Sequence, residues 1–105
     1  MKALFSIEFD FQQAIKRAEE LEEIAADMKK LANEDLDSSL QSLSTAWKGE
    51  AATAYLTKGS RLKEKILKSS NDLKKTASTI RNVAKRTYKA ELAAYKIAME
   101  RAYKE

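Results

Sequence analysis

The chain of 105 residues contains no cysteine, no histidine, no proline and only two glycines. Without cysteine there are no disulfides and no thiolate nucleophile, and without histidine there is no imidazole for acid–base work and almost no route to a zinc site. Asp, Glu, Lys, Tyr and Ser are present, but scattered over helical surfaces with no loop scaffold on which to converge. No enzyme, catalytic residue, metal site or cofactor is therefore expected. Long apolar runs are also missing. The longest stretch without charge, from Ser38 to Trp47, is ten residues, against the ~20 that a membrane span requires, so no transmembrane helix is expected. Only Ala3 to Ile7 lies uncharged between Lys2 and Glu8, too short for the roughly 7–15-residue apolar region of a cleaved signal. The expectation is synthesis in the cytoplasm and, for a secreted protein, export without a cleaved signal peptide.

What is present is the material of long helices: aliphatic residues, aromatics, Glu and Lys. The net charge of +4 conceals a division. Residues 1–50 carry six Lys or Arg against eleven Asp or Glu, and residues 51–105 carry fourteen against five. In an antiparallel hairpin the cluster Glu19, Glu20, Glu22, Glu23 and Asp27 would lie beside a helix bearing Lys74, Lys75, Arg81, Lys85 and Arg86. A basic half balanced by its neighbour is a solvated face before it is a nucleic-acid surface.

The apolar residues recur at intervals of three and four. In the first half the row is Ala14, Ala18, Leu21, Ile24 or Ala25, Met28 and Leu31. Asp10, with Gln13 three residues on and Phe9 and Ala14 in the staple positions, reads as an N-cap, with Ser6 as an alternative. At Asp35 the row falls out of phase and resumes one residue late as Leu36, Leu40, Leu43 and Trp47, which predicts a local change in winding or neighbour. The second half carries Ala52, Tyr55, Gly59, Leu62, Ile66, Ser69, Leu73, Thr76, Ile80, Val83, Thr87, Ala90, Ala94 and Ile97, a heptad row held for about six repeats. Leu21, Met28, Leu40, Leu43, Leu62, Ile66, Leu73, Ile80 and Val83 are the expected bundle seam. Gly59, on that row, is expected to let the partner backbone approach.

Between the halves stands Trp47-Lys48-Gly49. Gly49 can adopt the backbone a tight reversal needs, and Trp47 can cover the end of a helix pair. The expected fold is all-α: one antiparallel hairpin domain with helix 1 at about 8–46, a turn at 47–49 and an extended helix 2 at about 50–103. At 1.5 Å per residue, residues 11–46 extend ~54 Å and residues 50–103 ~81 Å. The first helix would cover the second only to about residue 86 to 88, leaving a tail with its own stripe, Tyr88, Leu92, Tyr95 and Met99, with Tyr103 near the end. Such a stripe needs a partner. Apolar residues on more than one face of the first helix call for a second hairpin, hence a four-helix bundle.

A length near one hundred residues, two helices, Leu40 and Leu43 before the Trp, and a mid-chain Trp47-Lys48-Gly49-Glu50-Ala51-Ala52 make the chain resemble the WXG family of small, ESAT-like helical substrates and partners of type VII secretion. The resemblance covers nearly the whole chain. It implies a homodimer, or a heterodimer with a related helical protein, and export in the folded state. Many exported relatives carry a Tyr-Xaa-Xaa-Xaa-Asp/Glu signal read by the secretion ATPase. Here Tyr88 is followed at the fourth place by Leu92 and Tyr95 by Met99, while Glu91 and Glu100 are each off by one. That departure tilts the reading toward a partner or targeting role, such as accompanying an LXG-type toxin. Two alternatives belong to other classes: a nucleic-acid-associated protein using the basic second helix, and a membrane-surface binder using the cationic tail from Tyr88 to Lys104.

Overall fold

The computed structural model describes residues 2–104. They form α1 (Leu4–Lys30), a π-helical turn (Leu31–Leu36), α2 (Asp37–Ala46) and α3 (Glu50–Lys104), with no strand among the described residues. Among the described residues no helix is long and apolar enough to cross a membrane. The fold is all-α, two long helical arms joined at residues 47–49.

α1 starts at Leu4 rather than near residue 8: the Ile7 N–H donates to the Ala3 carbonyl at 3.0 Å. Asp10 and Ser6 are therefore inside the helix and cap nothing. Asp10 instead accepts from the Lys2 ammonium, an attraction across two turns that replaces the expected cap. The phase slip at Asp35 is a physical feature. A π turn holds more residues per turn than an α-helix, so Leu31–Leu36 absorbs one extra residue and returns Leu36, Leu40 and Leu43 to a half-buried face. Asp35 itself is exposed.

The chain divides into two compact units. One comprises the residues up to Leu21 with those from Thr76 on, and the other Glu22–Lys75. Each is an antiparallel pairing of an early segment with a late one. In the first, Phe11 meets Tyr88 with ring centroids 4.7 Å apart, and Lys2 meets Glu91 at 2.8 Å. In the second, the Ser70 hydroxyl donates to the Ala25 carbonyl at 2.7 Å, and Lys63 meets Asp37 at 2.9 Å.

Small residues fill the contact. Ala18, Ala25 and Ala32 on the early segment, and Ser70, Ala77 and Ala84 on the late one, recur every seven residues and are buried, while Ile7 is the sole large apolar side chain that is fully buried among the described residues. A side chain reaching a backbone carbonyl of the facing helix shows how close the two backbones lie at Ser70, which leaves no room there for a Leu. Within the single chain, the second-half row is only partly the buried face. Ile66, Leu73 and Ile80 are half-buried, but Leu62 and Val83 are 51% and 45% exposed, with Tyr55 and Ile97 equally open. The buried column lies one residue further on, at Ser70, Ala77 and Ala84, because small side chains permit the close approach and the larger ones are turned to its flank. On the first half Leu21, Met28, Leu40 and Leu43 are half-buried, whereas Ile24 and Leu31 yield to their neighbours Ala25 and Ala32.

Candidate interaction surfaces

The turn belongs to the second unit. α2 ends with the Trp47 N–H donating to the Leu43 carbonyl at 2.8 Å, and Trp47 is then extended, with φ −123° and ψ 126°. Gly49 has φ +113°, a conformation that side-chain-bearing residues rarely adopt. Its carbonyl accepts from both the Thr53 N–H at 3.0 Å and the Thr53 hydroxyl at 3.1 Å, which starts α3. The Trp47 ring packs against Tyr55 at 5.8 Å, tilted by 55°, and remains 42% exposed. It leans on the first turns of α3 rather than lying buried in a core, so a sizeable part of the indole is open to another chain.

Close packing recurs nearby. A Cβ on Gly59 would collide with the Leu40 side chain, whose Cδ1 and Cγ would lie 3.2 and 3.3 Å away. Leu36, Leu40, Leu43, Tyr55, Gly59 and Leu62 line one groove in this unit. Ile24 and Leu31 add two more exposed apolar residues there.

In the first unit a cavity of about 360 Å³ is walled by Ile7, Phe11, Ala14, Ile80, Val83, Ala84 and Tyr88, with Lys2, Asp10 and Glu91 around it. Lys2 holds both carboxylates, so its pKa is raised, first by the hydrogen bond to Asp10 and then by that to Glu91. This pair runs against the overall division of charge, since the cation stands on the early segment and Glu91 on the late one. Sequence periodicity could not find Lys2, because it precedes the helix.

The tail stripe is split by the same contacts. Tyr88 has an intrachain contact after all, against Phe11, and with α1 starting at Leu4 the pairing runs on past it to Lys2 and Glu91. Leu92, Tyr95 and Met99 are half-buried, whereas Tyr103 is 85% exposed. At the opposite terminus Phe5 and Phe9 stack with centroids 6.0 Å apart and are exposed. No group of acidic residues able to hold a metal ion occurs among the described residues.

The arrangement offers surfaces for protein contact. No curated protein and no solved structure matches the chain. One family model does, that of WXG100, "Proteins of 100 residues with WXG", over residues 6–92. Members of that family are small helical secreted proteins associated with type VII secretion, non-enzymatic as a group, and they generally form dimers. With Trp47-Lys48-Gly49 joining two helical arms inside the matched span, the chain belongs to the WXG100 family.

Proposed function

We propose that this protein is a substrate or a partner and targeting protein of a type VII secretion system, acting through helix-bundle contacts. One observation carries the reading: the arms bury small residues against each other and leave Ile24, Leu31, Trp47, Tyr55 and Leu62 in one unit, and Val83 and Ile97 in the other, largely exposed. Apolar side chains of that size at helical spacing gain on the order of 25 cal/mol per Å² when another helix covers them. A second hairpin, from a copy of the chain or from a related helical protein, does so in a four-helix bundle. An LXG-type toxin is the cargo such a protein would escort.

The end of α3 is the docking segment for that partner or for the secretion ATPase. Tyr103 and Ile97 are open there, while Leu92, Tyr95 and Met99 continue the stripe half-covered. Since Tyr88 packs on Phe11, the separable segment begins beyond it. The test is affinity purification of the tagged chain from its native host, with and without residues 97–105. Recovery of a type VII component or an LXG-type toxin by the full chain, lost on truncation with helicity per residue preserved, supports the reading. Recovery of nucleic acid in a salt-sensitive manner, or flotation with anionic vesicles in place of protein partners, would replace it.

A further inference from the structure

The π turn sits where the early arm changes character. Before it, Ala25 is fully buried and tied to Ser70, and Ala32 is buried inside the turn itself. After it, α2 buries no residue completely. Asp37–Ala46 meets α3 through the ion pair of Asp37 with Lys63, the half-buried Leu40, packed closely on Gly59, and Leu43, with the Trp47–Tyr55 contact at its end. Segments with few buried contacts open at lower free energy than the whole fold, and π turns within helices are frequent at functional sites.

We propose that Leu31–Leu36 is a hinge, about which α2 and the Trp47 turn open from the start of α3 as one segment while the helix before it stays paired. Opening releases Leu36, Leu40, Leu43 and Trp47 together as an amphipathic strip, and uncovers Tyr55 and Gly59 opposite. The hinge stands independently of whether the chain is exported.

The sequence supplies an uncommon test, because the bulge is a one-residue surplus in an otherwise unbroken row. Removing Asp35, which is exposed, brings Ala32, Leu36, Leu40, Leu43 and Trp47 to successive spacings of three, four, three and four. That is the heptad pattern of a continuous α-helix. Deleting a residue from a packed helix normally rotates everything beyond it off its face. Here it should close the bulge and keep every face.

The experiment is hydrogen exchange on the full-length chain, at one concentration with its assembly state measured in parallel. In the unmodified protein the amides of residues 38–46 should exchange about tenfold or more faster than those of residues 22–30, as expected of a locally opening segment. Lys63→Ala should speed exchange in 38–46 a further few-fold, the scale of a partly exposed ion pair, without changing 22–30. Deletion of Asp35 should fold, keep the Trp47 emission of the parent, and slow exchange in 38–46 toward that of 22–30. Equal protection of the two segments in the unmodified chain would overturn the hinge. So would a deletion variant that unfolds, or that folds with its exchange pattern unchanged.

Discussion

Ala25→Leu tests the small-residue contact directly. Ala25 is fully buried, and its carbonyl accepts the Ser70 hydroxyl at 2.7 Å, so the facing backbone stands where a Leu side chain would go. Forcing the extra carbons in costs about 1–3 kcal/mol of overpacking. If the helices separate to admit them, the hydrogen bond of the 1%-exposed Ser70 is lost, and a buried hydroxyl left without a partner costs about 1–3 kcal/mol more. Helix propensity contributes little, since Leu is nearly as good a helix former as Ala. The sum is about 2–6 kcal/mol, which for a chain of this size lowers Tm by at least about 8 °C. Ala26→Leu, one residue on and exposed, is the control and should shift stability by less than about 0.5 kcal/mol. Circular dichroism melts of both variants decide the matter. Equal melting of Ala25→Leu and Ala26→Leu would refute the close-packed contact.

Trp47→Ala should destabilise by about 2 kcal/mol, below the 3–5 typical of a fully buried aromatic, because the ring is 42% exposed; chemical denaturation measures it. Gly49→Ala should cost about 1–2 kcal/mol from backbone strain alone, since nothing lies near a Cβ there but φ is +113°; a loss below a few tenths would show that the turn relaxes. The raised pKa of Lys2 means that its attraction to Asp10 and Glu91 is fully present below the unfolded lysine value of 10.5 and lost as pH climbs through the folded value. Stability should therefore decline with that titration above about pH 10.5, and Lys2→Ala should remove this component of the alkaline melt when compared with the parent.

The helices were legible because period and turn chemistry act locally. The row from Ala14 to Met28, the phase slip at Asp35 and the reversal at Gly49 each leave a mark within a few residues of the chain. The buried face of α3 was less so. Heptad spacing identifies neighbouring columns equally well, and ranking them by side-chain size selects Leu62 and Val83 over Ser70 and Ala77. The contact selects the opposite, because two antiparallel backbones this close exclude large side chains. A signal was present, in the exact seven-residue recurrence of Ala18, Ala25 and Ala32 against Ser70, Ala77 and Ala84, but it gains meaning only once the pairing is known. The same applies to Phe11 with Tyr88 and to Lys2 with Glu91, contacts between residues more than seventy positions apart in the sequence.

Large apolar side chains that flank a small-residue contact are expected to meet another helical chain. Sedimentation equilibrium of the full-length chain at micromolar concentration, beside a Leu62→Asp, Val83→Asp double variant, tests it most directly. The parent should show about twice the 11.9 kDa chain mass, or be soluble only with a co-expressed helical partner, and the variant, still helical, should show single-chain mass. A parent that sediments at single-chain mass at every concentration, melts cooperatively without a partner and is unaffected by the two substitutions would contradict it.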